Sequence, residues 1–275
     1  MYSTDDVCAI IVSFNGGFQI IEHVRRLSEI IKKVLVVDNG SNIKNLNYLH
    51  SIEQFDGVEV IYNNENKGIA YALNQGIVFA KKNGFKLLLT LDQDSEISEE
   101  CINKLVKAID VKNKVVSVGP VYGKVNAKQK EIRDVSFLIT SGNLIYVDVV
   151  NMIGGYATEL FIDCVDIDLS FNLVSHGYRL QKIENACMQH KIGEYENSFI
   201  FHIPHLAHNP KRYYYKYRNN IIIYKKYSKK LFFLCLKLFI SLCLEFQKII
   251  FIENKKKEKI IYALHGIRDG IRYHR

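Results

Sequence analysis

The residues best suited to chemistry in this chain are carboxylates that close apolar runs. Leu87-Leu88-Leu89-Thr90-Leu91 has the length of a strand and ends in Asp92-Gln93-Asp94. A spacing of two puts both acids on one face of a strand, so they are expected to emerge together at its carboxyl end. That edge is where open α/β sheets bind ligands. Two acids this close repel one another unless a cation sits beside them, and hard oxygen ligands suit Mg2+ or Mn2+. The pair predicts a divalent metal, and the metal an anionic ligand. In isolation the same motif also fits a solvated Asp in a turn.

A second acidic group lies further on. Asp163, Asp166 and Asp168 alternate with Phe, Ile, Val and Leu across residues 160–169, a segment too apolar for a surface acid run. Buried carboxyls of this kind are candidates for a general base. If the segment opens a helix with Asp163 as its cap, some of them are instead first-turn residues, and spacing does not choose among the three. Asp38 closes another apolar run, placed either to form a turn or to accept hydrogen bonds from a base or ribose. Asn66 and Lys67 stand where a helix begins and free N–H groups favour phosphate, although an ordinary cap uses the same residues. His190 follows a late apolar run, as a structural residue or a ligand.

These residues need a scaffold, and periodicity supplies one. Strands are expected over 7–14, 34–37, 58–62, 87–92, 115–118, 136–139 and 182–189, with a strand turn at 140–145. Amphipathic helices are expected over 20–31, 69–82 (ended by Gly84) and 99–109, the last capped by Ser98. Strands alternating with helices make an α/β fold around a mostly parallel sheet.

Charge divides the chain. Residues 1–210 carry 20 Lys+Arg against 25 Asp+Glu, and residues 211–275 carry 17 against 4. A catalytic domain over 1–210 and a basic, aromatic and apolar helical extension over 211–275 are therefore expected. The segment 211–220 interleaves Lys and Arg with Tyr, which suits anionic sugar phosphates, lipid headgroups or stacked bases. The apolar run 231–252 contains Lys237, Glu245 and Lys248, too many charges for a spanning helix but compatible with one lying in a membrane surface, where Lys255-Lys256-Lys257 adds attraction to anionic lipid. The polar, acidic start and the absence of a basic flank to 7–14 read as no signal sequence, and six scattered cysteines fit a reducing cytosol. The expected location is the inner face of the cell membrane.

In order, Ser13-Phe14-Asn15, Val36-Val37-Asp38-Asn39-Gly40-Ser41, Asn66-Lys67-Gly68 with Ala70, Asn74 and Gly76, and Asp92-Gln93-Asp94 resemble an inverting glycosyltransferase of family 2 with the nucleotide-sugar-binding GT-A fold. Leu160-Phe161-Ile162-Asp163, Val165-Asp166, His190 with Gly193, His208-Asn209-Pro210, Arg212-Tyr213-Tyr214, Arg218-Asn219 and Gly266-Ile267-Arg268-Asp269-Gly270 resemble its bacterial rhamnosyltransferase branch. Asp168, Leu169 and Asn172 stand where members of that branch usually carry Glu-Trp and a downstream Arg.

The resemblance implies a dTDP- or UDP-sugar donor, a glycan or lipid-linked acceptor, and surface-glycan synthesis without nucleic acid. It implies that Asp38 contacts the nucleoside, with Asn66 and Lys67 on the donor side, Asp92 the ribose or sugar, and Asp94 the metal. Asp166 would be the base, His190 would help hold the metal or diphosphate, and Arg212 and Arg218 would meet phosphates. Two competitors are weaker. A haloacid-dehalogenase-type phosphohydrolase wants Thr or Val where Glu96 stands and places its motif in the first strand. A non-catalytic assembly partner would have no need of Asp38, Asp92, Asp94 and Asp166.

Overall fold

The computed structural model describes residues 2–123, 131–188, 195–197, 204–206 and 209–273. The apolar runs form strands β1 (Val7–Ser13), β2 (Lys33–Asp38), β3 (Val58–Tyr62) and β4 (Leu87–Asp92). Between them lie helices α1 (Gln19–Ser28), α2 (Ile43–Ile52) and α3 (Ile69–Lys82), and α4 (Glu99–Ala108) comes after β4. The four strands pair in parallel in the order β3-β2-β1-β4, so their carboxyl ends share one edge. The chain leaves β1 for β2 on one side and β4 lies on the other, which makes the crevice beside β1 a topological switch point.

The second half of the sheet is mixed. It contains β5 (Val115–Tyr122), β6 (Ile132–Val135), β7 (Asn143–Tyr146) and β8 (Arg179–Met188), and completes the order as β4-β7-β5-β8-β6. Only β5 and β8 pair in parallel there; β7 runs antiparallel to both β4 and β5. Thr90 of β4 faces Asn143 of β7, so the amino end of β7 reaches the same edge as Asp92. Helices α5 (Val147–Met152) and α6 (Val165–Ser175) precede β8, and β9 (Tyr195–Asn197) and β10 (Pro204–Leu206) form a small separate ribbon.

Three expectations are corrected. Residues 136–139 are not a strand: the edge strand is β6, and Leu138 leaves the sheet to plug the core, its N–H donating to Ser170 Oγ at 3.2 Å. Strand β4 stops at Asp92, and Ser95 N–H closes a turn onto the Asp92 carbonyl, so Asp94 does not share a strand face with Asp92. Asp163 does not cap α6; that position is Cys164, in the left-handed region.

Three helices come after Asn209: α7 (Pro210–Tyr227), α8 (Phe232–Phe251) and α9 (Lys256–Arg272). Ile222, Ile223 and Tyr227 of α7 enter the same apolar core as Leu88 and Ile145 of the sheet. Helices α7 and α9 touch backbone to backbone. A Cβ on Gly266 would stand 2.3 Å from the Tyr214 carbonyl oxygen, and one on Gly270 2.8 Å from that of Arg218. Lys259 Nζ, 2.8 Å from Glu253, and the Tyr213 hydroxyl meet on that carboxylate inside the same seam. Among the described residues no helix is long and apolar enough to cross a membrane. Helix α8 instead turns Phe232, Phe233, Leu236, Phe239, Ile240 and Leu244 outward, Phe233 at 77% exposure.

Gly266→Ala tests the seam. Replacing Gly by Ala inside a helix ordinarily gains about 1 kcal/mol, whereas overpacking costs about 1–3 kcal/mol. Net destabilisation in urea or thermal melts is expected, because the obstacle is backbone that cannot swing aside.

Candidate active site

The edge at the carboxyl ends of β1 to β4 is built by short polar side chains that hold the loops. Asp38 is 1% exposed, and its carboxylate accepts from the N–H groups of Gly40 and Ser41 at 3.1 Å. It thus shapes its own corner. Asn39 donates to Asn66 Oδ1 at 3.1 Å and accepts from Lys67 N–H at 3.2 Å, joining the β2 corner to the start of α3. Asn66 in turn accepts from Gly68 N–H at 2.9 Å, while the Lys67 ammonium is exposed above the Tyr71 ring. Gly40 has φ +83 and would drive a Cβ into the Glu65 backbone at 2.6 Å, so this close approach requires glycine.

The Asp92-Gln93-Asp94 turn is pinned on both sides of Gln93. Phe14 N–H donates to Gln93 Oε1 at 3.0 Å, and His23 Nδ1 donates to the Gln93 carbonyl at 2.8 Å. Asp94 is exposed and Asp92 half-buried. Opposite them, Tyr122 donates to the Ser141 carbonyl at 2.6 Å. Its hydroxyl pKa is pushed up by burial first and then by the charges of Asp92 and Asp166.

Asp166 lies in the first turn of α6, part of its surface open to solvent but its carboxyl crowded by protein atoms. Burial raises its pKa from the ordinary 3.8 to about 6; the Ile167 N–H opposes that shift, and the charges of Asp163 and Asp92 reinforce it. The fold has thus brought Asp92 from β4 and Asp166 from α6 within electrostatic reach, 74 positions apart in sequence.

The other two acids of the group are engaged. Asp163 receives a forked ion pair from Arg212, at 2.8 Å through Nη2 and at 3.0 and 3.1 Å through Nε. Asp168 is 1% exposed and held by Lys226 at 2.7 Å and the Tyr227 hydroxyl at 2.9 Å. Arg218 spends Nη2 on the carbonyls of Glu159 at 2.6 Å and Leu160 at 3.2 Å, a main-chain clamp where a phosphate contact was expected. His190 lies outside the described residues.

The loop between Leu160 and α6 is strained. Phe161 (φ 63, ψ −65) centres a γ-turn closed by Ile162 N–H on the Leu160 carbonyl at 2.7 Å, a rare geometry for a residue with a side chain. Asp163 (φ 63) and Cys164 (φ 61) are also left-handed. Such residues cost on the order of 1–3 kcal/mol each and persist only where surroundings over-determine them. Here Ile69 N–H holds the Phe161 carbonyl at 2.8 Å, Gly68 packs against Phe161, and Tyr215 stacks on the Phe161 ring at 5.1 Å.

The sequence model of glycosyl transferase family 2 matches residues 8–157, more than half of the chain. The chain belongs to that family. This glycosyltransferase is 29% identical over 96% of its length, and 96% of the relative's, to the dTDP-rhamnosyl transferase RfbF of Shigella flexneri. It superposes on the mannosyltransferase PcManGT of Pyrobaculum calidifontis, solved with GDP-Man and Mn2+, with a TM-score of 0.61 and 13% identity, covering 98% of this chain and 76% of that one. Against S. aureus TarS 1–349 with UDP-GlcNAc the TM-score is 0.62 at 13% identity, covering 97% and 80%. These likenesses show the GT-A fold.

Sequence reading missed Asn39, Tyr122, Ser141 and Asn219 as site-building residues. Asn39 and Asn219 sat inside motifs already noted; Tyr122 and Ser141 carried no local signal.

Asp166→Asn tests the recessed carboxyl without any assay of transfer. A carboxyl whose folded pKa is raised weakens the fold only when ionised, so its cost is absent below the ordinary 3.8, grows as pH rises toward about 6 and is complete above that. The variant should therefore be more stable than the parent at pH 8 by about 2–3 kcal/mol, from about 1.4 kcal/mol per pKa unit, with the gain vanishing near pH 4. Denaturant melts across that range read it.

Proposed function

We propose that this glycosyltransferase moves L-rhamnose from dTDP-L-rhamnose, with inversion, onto a lipid-linked or polysaccharide acceptor in bacterial surface-glycan synthesis. What carries the proposal is Asp166, a carboxyl at the first turn of α6 within electrostatic reach of Asp92, its pKa pushed up by burial to about 6. The near full-length likeness to a dTDP-rhamnosyl transferase supports the donor. A UDP-sugar donor is the second reading, left open by Asp168, Leu169 and Asn172, which depart from the rhamnosyltransferase pattern.

In this mechanism Asp166 accepts the acceptor hydroxyl proton while the oxygen attacks the anomeric carbon. The bond from that carbon to the diphosphate oxygen breaks on the opposite face, and the nucleoside diphosphate leaves. Single displacement inverts the centre. At neutral pH a base with a pKa near 6 is already ionised, yet still basic enough to take the proton as the new bond forms. Asn66 and Lys67 line the donor side, Lys67 meeting phosphate, while buried Asp38 holds the neighbouring corner. Arg212, locked onto Asp163, sets the wall on the acceptor side.

The donor set suits Mg2+ or Mn2+. Asp94 presents an exposed carboxylate two residues beyond Asp92, and Mg2+ sites commonly use one or two carboxylates with substrate phosphates completing the shell. Among the described residues no group of three His, Cys, Asp or Glu converges, so most ligands would come from diphosphate and water. Such a cation would neutralise charge on the departing diphosphate.

The outward face of α8 fits peripheral attachment to an anionic membrane. Its exposed Phe, Leu and Ile are flanked by Lys229-Lys230 and Lys255-Lys256-Lys257, and each Lys near such a surface contributes about 1 kcal/mol.

Three measurements test these proposals. Transfer from a panel of dTDP-, UDP- and GDP-sugars should select dTDP-L-rhamnose and stop in excess EDTA. Asp166→Asn should lose about 10²- to 10⁴-fold in turnover while binding donor normally; normal turnover by this variant would displace Asp166 as the base. In flotation assays the chain should bind vesicles containing phosphatidylglycerol but not pure phosphatidylcholine vesicles, and Phe233→Asp with Phe239→Asp should release it.

A further inference from the structure

Asn219 is wholly buried on α7 and takes no part in the mechanism above. Its Nδ2 lies within hydrogen-bond distance of three main-chain carbonyls of the strained loop, Leu160 at 2.9 Å, Ile162 at 2.8 Å and Asp163 at 2.9 Å, which share its two N–H groups. Its Oδ1 accepts from Arg218 Nε at 2.9 Å, and Arg218 holds the two carbonyls just upstream. One side-chain amide and one guanidinium therefore fix the carbonyls of Glu159, Leu160, Ile162 and Asp163. Those carbonyls converge on one helix along a path that holds Phe161, Asp163 and Cys164 at positive φ. The left-handed path in turn sets where α6 begins, and Asp166 is its second residue. From the other side, Ile69 N–H at the start of α3 grips the Phe161 carbonyl, so one loop is held both by the corner that bears Asn66 and Lys67 and by α7.

We infer that Asn219 is a positioning residue for transfer, holding the Leu160–Asp163 carbonyls so that α6 presents Asp166 to the acceptor, with Arg218 as its partner in that clamp. The inference rests on the glycosyl-transfer reading. A core asparagine needed only for packing would affect stability alone. A tether that aims a reacting group affects turnover, because displacement of about 1 Å can cost on the order of 10²-fold in rate.

The test is Asn219→Ala in the full chain, read by steady-state kinetics and by hydrogen exchange over residues 160–166. The expected result is a kcat lowered by about 10- to 100-fold with donor KM within about twofold of the parent, and faster exchange confined to that loop. Unchanged kcat per folded molecule, or a raised donor KM with kcat intact, overturns the inference. Where Asn219→Ala does not fold, Arg218→Lys keeps the charge and loses the fork. The same kcat loss supports the clamp, and a raised donor KM in its place makes Arg218 a phosphate ligand and overturns it. Exchange no faster in the variant overturns the tether whatever the parent's activity. A parent that transfers from no nucleotide sugar overturns the underlying reading instead.

Discussion

The buried carboxyl of Asp166 lies within electrostatic reach of two further acids, Asp163 and Asp92, and the fold treats the three differently. Asp163 is neutralised by the fork of Arg212, which fixes its geometry as well as its charge. Asp166 has no such cation in hydrogen-bond contact among the described residues, and its recessed carboxyl answers by binding its proton more tightly. Asp92 and Asp94 remain at the open end, where a cation arriving with an anionic donor would be attracted most strongly. Environment rather than residue type thus separates these acids into one paired with a cation, one recessed with its proton held more tightly, and two at the end of the strand.

The parts contributing to this division come from both halves of the chain. The family match ends at residue 157, before Asp166 and before every residue of α7. The matched portion carries the corners built around Asp38, Asn39, Asn66 and the Asp92-Gln93-Asp94 turn. The remainder of the chain supplies Asp166 and the helix that holds the loop before it.

Helix α7 also links the site to the apolar surface. It buries Ile222, Ile223 and Tyr227 in the sheet's core, lies along α9 through Gly266 and Gly270, and forms an ion pair with α8 through Lys216 and Glu245. A surface that sits on a membrane through α8 would therefore hold the acceptor-side loop at a set height above it.

Local pattern was enough for most of the first half. Continuous β-branched runs and 3.6-residue periodicity placed the strand over Val58–Tyr62 and the helix over Ile69–Lys82, and Ser98 caps α4 as its sequence position implied. The GT-A fold and the family were legible because corner motifs recur in a set order. Helix α2 was missed because its Asn-rich sequence presents only a weak apolar stripe, with just Leu49 and Ile52 buried. Residues 136–139 misled because one apolar residue that leaves the sheet, Leu138, looks in sequence like one that stays. The state of each acid was beyond any local rule. Asp163, Asp166 and Asp168 share one segment, yet the cations that hold the first and the last stand on α7, 49 positions away for Arg212 and 58 for Lys226. Periodicity is a short-range property of the chain, whereas the charge, burial and aim of a carboxyl depend on which distant groups the fold sets against it.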